Sequence, residues 1–397
     1  MRRTPAGSLW PAGVVAAAAV TYFAWSRLVV RLYTFTPITT FGFPERARFE
    51  AYARWDGAWY HLIATRGYFY DGPRTQSAVA FFPAYPAAVR GLGRLVGDTM
   101  VAGVVVTLIA SAVAAVLLHR WAKEHFDEGV AALVVALLVV SPYAYYLFGP
   151  LYSDALFLAT TVAAFFLLER RRPWLAAAAG ALATADRPVG VAVTAGLLLR
   201  SLELDGVLLT RWGGAAATGR RRIAFDWSKA RLTTCAPVAS VAGLVGYCAY
   251  LWVRFDEPFA FVKTGDAIGW RRDFSFRTMA KLDYVEILTS GQLGIQLLTT
   301  TTSAVLTLGA IALLPRVLRR LGPGYFVYAA IAVILPALTA PEFIGMGRYL
   351  LVAFPVYGVV AEWLGPRRVL AGVAMACSTV LLVVLSAHFV RGLLLIA

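Results

Sequence analysis

The sequence predicts an all-α polytopic membrane protein, with about nine full transmembrane helices, a short broken hairpin and interfacial helices on its outer face. Three observations predict it. Hydrophobic residues make up 59% of the 397 and charged residues only 15%, where soluble domains hold about a quarter charged. The apolar residues fall in long runs, among them 101–118, 130–140 and 369–385, and about 20 such residues cross a bilayer. The formal charge of +15 is carried by Arg-rich clusters at the ends of those runs, the placement of cytoplasmic loops under the positive-inside rule. That placement argues for anionic headgroups as the basic surface's partner and against nucleic acid.

A first span at 9–30 follows Met1-Arg2-Arg3. Its length, and the lack of a small-residue cleavage site after it, make it an uncleaved anchor with a cytoplasmic N-terminus. Residues 31–98 form the first outer loop. Within it, 44–68 has near-periodic Phe49, Tyr52, Trp55, Trp59 and Tyr60, which predicts an interfacial helix at headgroup level. Residues 79–97 carry Arg90 and Arg94 one turn apart and predict a helix lying on the surface.

Further spans are expected at 99–120, 129–148, 152–169, 234–253, 292–314, 323–340, 348–364 and 369–390. The stretch 173–199 is apolar enough for one span, but Asp186-Arg187-Pro188 interrupts it and Arg clusters flank both ends. Two half-helices meeting at that turn satisfy both facts, and such a break is tolerated where it lines a cavity in the protein. The segment 200–231 is a basic cytoplasmic loop, either a connector or a surface helix. No internal repeat or low-complexity segment divides the chain, so 1–397 reads as one domain. Cys235, Cys248 and Cys377 lie in or beside spans without metal-ligand spacing, and act as small apolar residues.

On this layout the conspicuous polar motifs share one end. They are Arg54-Trp55-Asp56, Tyr152-Ser153-Asp154, Asp186-Arg187-Pro188, the loop 256–273 and Met346-Gly347-Arg348-Tyr349. Ionisable residues at membrane depth are costly and mark function. Arginines suit a phosphate through charge-assisted, often bidentate bonds. A carboxylate suits a general base acting on a hydroxyl, and Trp55, Trp59, Tyr60 and Trp270 suit sugar faces and headgroups. Together they point to transfer of a group from a lipid-linked phosphate to an alcohol.

One pattern is more specific. Arg54-Trp55-Asp56-Gly57-Ala58-Trp59-Tyr60, then Gly67-Tyr68, then Phe81-Phe82-Pro83-Ala84-Tyr85-Pro86 resembles the first outer loop of the PIG-V family. These are mannosyltransferases of the GT-C membrane fold, whose eukaryotic members add the second mannose in glycosylphosphatidylinositol assembly. Downstream, Ser141-Pro142, Tyr152-Ser153-Asp154-Ala155-Leu156-Phe157, Arg187-Pro188 with Gly190, and Gly347-Arg348-Tyr349 with Phe354-Pro355 are similar to later family segments. Asp154 stands where the family usually has Glu. The loop from Pro258 to Trp270 is similar to a bacterial form that carries Gln before the Trp, and this sequence has no Gln there.

The resemblance implies a GT-C glycosyltransferase in a bacterial plasma membrane, with its active site facing outside. It implies a polyprenyl-phosphate mannose donor as co-substrate, no metal or other cofactor, and inversion at the anomeric carbon. The acceptor, a glycolipid, a glycan or a protein, stays open. Asp56 would be the catalytic base. Arg348, Arg187 and Lys263 would bind the donor phosphate, and Arg54, Trp55, His61, Tyr152, Asp154 and Trp270 would contact substrate.

Each residue has a plainer reading. Asp56 could cap a helix or pair with Arg54. His61, among aromatic neighbours, fits a hydrogen-bonded interfacial residue. Asp154 fits a helix cap as well as an acceptor contact. Arg187 could pair with Asp186 or Asp154, Arg348 could snorkel to headgroups, and Lys263 fits a solvated loop. The rival of a different class is a transporter or flippase of a lipid-linked saccharide. It should show repeats and a broken-helix site at the midplane, of which the sequence offers only the hairpin.

Overall fold

The computed structural model describes residues 9–33, 49–212, 221–267, 270, 275–291 and 294–393. Helices account for nearly all of the regular structure. The first half holds α1 (Trp10–Leu32), α2 (Asp56–Arg66), α3 (Ala84–Val96), α4 (Thr99–His125), α5 (Glu128–Val139), α6 (Asp154–Glu169), α7 (Pro173–Thr184) and α8 (Val191–Leu204). A two-stranded antiparallel hairpin follows, β1 (Leu208–Trp212) against β2 (Arg221–Phe225), with Leu208 opposite Phe225. The second half holds α9 (Leu232–Cys235), α10 (Ala242–Phe255), α11 (Ala260–Lys263), α12 (Phe276–Met279), α13 (Leu282–Thr289), α14 (Ile295–Leu321), α15 (Pro323–Thr339), α16 (Met346–Leu351), α17 (Phe354–Leu364) and α18 (Arg368–Arg391).

Among the described residues, five helical stretches are long and apolar enough to cross a membrane. They are α1, α4, the continuous run Leu232–Phe255, α14 and α18. Their outward residues are large and apolar, for example Val20 on α1, Val305 and Leu308 on α14, and Val373 and Val380 on α18, all exposed. That is how a surface is built when lipid is its solvent. The remaining apolar helices are shorter: α5, α7, α15 and α17. Nine full spans are therefore not matched by nine long helices among the described residues.

The differences have local causes. The expected span 129–148 stops at Val139, because Pro142 has no N–H to continue the ladder. From Ser141 to Ser153 a 3-10 turn at Ala144–Leu147 is flanked by irregular backbone, and every residue is buried. Its carbonyls are met from neighbouring elements. Ser111 Oγ donates to the Leu147 carbonyl at 2.7 Å, and Thr107 Oγ1 to that of Pro150 at 3.0 Å. Gly149 has φ 122 and lies against the Tyr52 ring, where a Cβ would sit 2.8 Å from Cε2. The expected span 348–364 is likewise split, into α16 and α17.

In the first outer loop, residues 44–48 of the expected interfacial helix lie outside the described residues. The remainder is a 3-10 turn at Glu50–Tyr52 followed by α2. Arg90 of α3 does not face headgroups. It donates through Nε and Nη2 to the carbonyls of Ala64 and Ile63, at 2.7 and 2.8 Å, and so satisfies the C-terminal end of α2. The basic segment contains the β-hairpin and no helix between Leu208 and Phe225 among its described residues; 213–220 lie outside them.

The stretch 173–199 folds as two half-helices, α7 and α8, which meet at the Asp186-Arg187-Pro188 turn. The two ends of the molecule differ in charge chemistry. At one end Arg170 pairs with Glu124, Arg171 with Asp205, Arg200 with Glu169, and Arg316 and Arg320 with Glu362. At the other end lie the start of α6, the hairpin turn and the end of α15. Since α6 has 16 residues, it separates the two ends by roughly 24 Å at 1.5 Å per residue.

Gly347 packs against the Tyr143 ring so closely that a Cβ there would overlap it. Tyr143 cannot yield, because its hydroxyl donates to the Thr299 carbonyl at 3.0 Å and lies 2.8 Å from Ser303 Oγ. Gly347→Ala should therefore lower the stability of the detergent-solubilised protein by about 1–3 kcal/mol, read as a lower midpoint of thermal unfolding.

Candidate functional site

α2 begins at Asp56, and the backbone turns sharply to present it. Trp55 precedes it with φ 54 and ψ −120, a strained conformation for a bulky residue that the surroundings must hold in place. Two contacts do so. The Tyr152 hydroxyl donates to the Arg54 carbonyl at 2.7 Å, and the Leu151 amide donates to the Tyr52 carbonyl at 2.8 Å. The carboxylate of Asp56 then lies at the N-terminal end of its helix, where the dipole favours negative charge.

Arg348 meets it there. Its Nη1 donates to Asp56 Oδ2 at 2.6 Å, and both side chains are buried. Its Nε lies 4.0 Å from Asp154 Oδ2. Arg187 reaches the same Asp154 oxygen with Nη2 at 2.5 Å, while its Nε donates to Ser153 Oγ at 2.9 Å. Ser153 Oγ also accepts from the Tyr60 hydroxyl at 2.8 Å. The result is an alternating ladder, Asp56–Arg348–Asp154–Arg187, assembled from α2, α16, α6 and the hairpin turn. Aromatic faces line it. The Arg348 guanidinium lies 5.1 Å from the Tyr152 ring centre and 5.5 Å from that of Tyr349, and Arg187 lies 5.7 Å from those of Phe157 and Tyr349.

The ladder opens onto a cleft of about 180 Å³. Asp56, Tyr60, Asp186, Arg187, Arg348 and Tyr349 line its polar side. Phe81, Phe82, Phe261, Trp270, Leu335 and Pro336 form its apolar wall. Two arginine N–H groups on the polar side, Arg187 Nη1 and Arg348 Nε, are buried and make no hydrogen bond among the described residues, Arg348 Nε having only the 4.0 Å contact with Asp154. Buried donors in that state are uncommon, and a site awaiting an anion accounts for them.

The sequence-predicted residues divide into three groups. Asp56, Arg348, Arg187 and Trp270 line the cleft; Trp270 packs edge-on to Trp59 and Phe81, with ring centres 5.5 and 5.7 Å away. Tyr152 and Asp154 lie behind it and hold the first group. Asp154 is fully buried as the first residue of α6, and its carboxylate meets Arg187 rather than a backbone amide. The third group points elsewhere. Arg54 Nε donates to the Val390 carbonyl at 3.3 Å, toward the end of α18. Trp55 is half-buried in the aromatic core outside the cleft. His61 Nδ1 lies 3.3 Å from Thr99 Oγ1, and burial pushes its imidazole below the ordinary value.

Lys263 is half-exposed and pairs with Glu257, whose hydrogen bond raises its ammonium above the usual lysine value. Phe261, two residues earlier on α11, faces the cleft instead. Side chains two apart on a helix project in nearly opposite directions, so Phe261 and Lys263 cannot both face it. Asp186 is the cleft residue that sequence reasoning passed over. Its signal was present, since it opens the one charged interruption of an apolar stretch. Among the described residues, no group of three or more His, Cys, Asp or Glu side chains is placed to hold a metal ion.

Comparison with solved structures finds an oligosaccharyltransferase from Archaeoglobus fulgidus. Its complex with Zn and sulfate aligns with a TM-score of 0.50 and 14% identity, over 94% of this chain and 53% of that one. The form tethered to an acceptor peptide containing the NVT sequon gives 0.43 and 14%, over 97% and 55%. The complex with an inhibitory peptide and a dolichol-phosphate gives 0.44 and 13%, over 96% and 55%. The chain thus spans about half the length of the structures it matches. No family model and no curated protein matches it. At this identity the likeness is one of fold, and the fold is the all-α GT-C type.

Asp154 is the shared member of the ladder. Removing one partner of a buried pair strands the other's charge, and Asp154→Ala should cost about 3–5 kcal/mol. The double variant Asp154→Leu with Arg187→Met should recover most of that loss. Thermal unfolding of the three proteins in detergent checks both statements, and equal midpoints for the single and double variants would contradict them.

Proposed function

We propose that the chain is a membrane glycosyltransferase that moves a sugar, mannose by the sequence resemblance, from a polyprenyl phosphate to an acceptor hydroxyl with inversion. The observation that carries this reading is the cleft itself. A buried carboxylate stands beside two guanidinium groups with unmet N–H donors, and an apolar wall faces them. An anion, a hydroxyl and a hydrocarbon chain are the three things such a surface accepts together.

The step then balances as follows. The acceptor oxygen forms a bond to the anomeric carbon, and its proton passes to Asp56. The bond from that carbon to the phosphate oxygen breaks, and the phosphate leaves with the electron pair. Because it leaves ionised, no acid need protonate it, unlike the paired carboxylates of glycoside hydrolysis. Arg187 and Arg348 meet the charge that develops on it, already oriented by Asp154 and Asp56. Leu335, Pro336 and Phe261 offer the polyprenyl chain an apolar path. The arginine-rich end would be cytoplasmic under the positive-inside rule, which puts the cleft on the outer face of the plasma membrane. A glycolipid, a glycan or a protein could supply the hydroxyl.

Membranes carrying wild type or Asp56→Asn, supplied with labelled polyprenyl-phosphate mannose and native lipid extract, test this. Asn keeps the shape but takes no proton, and transfer should fall by about 10²- to 10⁴-fold at equal expression. Equal transfer by both proteins would remove Asp56 from catalysis. Absence of transfer across several acceptor extracts would favour the flippase reading, for which the broken hairpin at the cleft speaks. In the same assay Lys263→Ala should leave transfer unchanged, since Lys263 pairs with Glu257 outside the cleft lining.

A further inference from the structure

The two guanidinium N–H groups are unmet donors; the same cleft also contains an acceptor with lone pairs to spare. Asp186 is 1% exposed and lines the cleft, and its carboxylate is approached by only the Tyr85 amide and the Ser153 hydroxyl among the described residues, neither in full hydrogen-bond geometry. The adjacent Arg187 bears on its charge but makes no hydrogen bond to it, with Nη2 turned to Asp154 and Nε to Ser153. No Lys, Arg or His among the described residues stands in ion-pair contact with it. A carboxylate so placed offers two oxygens and about four lone-pair sites, and burying it without donors is costly.

The Tyr85 amide and the Ser153 hydroxyl leave lone pairs of the carboxylate for donors that enter the cleft, and the walls restrict their chemistry. A metal ion would need further ligands of the same kind, and no such group is assembled there among the described residues. The rings of Trp270, Phe81 and Phe261 border the same space, and flat aromatic faces suit the C–H faces of a sugar. A cavity of about 180 Å³ has room for a single sugar ring. We infer that Asp186 and the Trp270 wall form a pyranose subsite, in which the two carboxylate oxygens accept hydrogen bonds from a pair of adjacent sugar hydroxyls. The sugar is either that of the donor or that of a saccharide acceptor. The inference rests on the glycosyl-transfer reading for the origin of the sugar, and on the cleft alone for its binding.

Binding without turnover tests it on the full chain in detergent. Methyl α-D-mannopyranoside is titrated against wild type, Asp186→Asn and Trp270→Ala, with saturation-transfer NMR or calorimetry as the readout. Its monodeoxy derivatives are titrated alongside. Wild type should bind the parent sugar and lose at least about tenfold in affinity when either hydroxyl of one adjacent pair is removed, the scale of one charge-assisted hydrogen bond. Asp186→Asn should lose a similar factor for the parent and no longer distinguish it from those derivatives. Absence of parent binding, or discrimination that persists in Asp186→Asn, overturns the subsite. Should Asp186→Asn not fold, the deoxy series on wild type still decides, because a flat series refutes the hydroxyl pair.

A second arm separates the two sources. If Asp186→Asn weakens polyprenyl-phosphate mannose but not polyprenyl phosphate, the sugar is the donor's. If it weakens the free pyranoside while polyprenyl phosphate saturates the protein, the sugar is the acceptor's. These readouts need no catalysis. Loss of sugar affinity in Asp186→Asn alongside full transfer by Asp56→Asn would uphold the subsite and refute the proposed base.

Discussion

Arg348 and Asp56 are 292 residues apart in the chain and 2.6 Å apart in the fold, and the geometry of the cleft depends on that contact. Neither charge could be buried alone, since the effective penalty for an isolated buried ion is several kcal/mol. Together with Asp154 and Arg187 they neutralise one another in an alternating row. The row does more than cancel charge. It fixes the first outer loop, the start of α6, the turn of the broken hairpin and α16 relative to one another. Apart from α6, each of these elements is short or irregular, without the length to hold its place by spanning the bilayer.

The rest of the site can be understood as support for that row. Tyr152 gives its hydroxyl to the Arg54 carbonyl and its ring to Arg348, so one side chain steadies both halves of the Asp56–Arg348 contact. Ser153 collects Tyr60 and Arg187 on one oxygen. The strained Trp55 backbone persists because these contacts over-determine it. Irregular backbone from Ser141 to Ser153 would be untenable against lipid, and it survives because protein surrounds it on every side. Function and packing thus impose the same requirement here: a polar centre kept dry by aromatic residues.

Much of this was legible in the sequence. The charge deficit and apolar runs gave the membrane class, and Asp186-Arg187-Pro188 inside an apolar stretch located a break that the fold contains. Asp56, Arg187, Arg348 and Trp270 were named from their motifs and all line the cleft. What could not be read was side-chain direction in loops. Lys263 and Phe261 share a short helix, and only its rotation decides which of them faces inward. His61 and Arg54 belong to the same motif as Asp56, yet they point toward Thr99 and Val390. One span boundary differs for a related reason: residues 140–148 are apolar enough to read as the end of a helix, whereas Pro142 ends α5 and the chain continues through a buried 3-10 turn. Asp186 was visible as part of a break, but its place in the cleft lining appears only in the fold.

The fold shared with the archaeal oligosaccharyltransferase complex is compatible with many chemistries, because function resides in sites and not in folds. The account therefore stands on where an anion sits in this cleft. A structure of the full chain with polyprenyl phosphate tests it most directly. The account predicts phosphate oxygens within hydrogen-bond distance of Arg187 Nη1 and Arg348 Nε, with Asp56 facing the same space and the polyprenyl chain along Leu335 and Pro336. A phosphate held at Lys263 or elsewhere outside the cleft, with those two N–H groups still unmet, would contradict it.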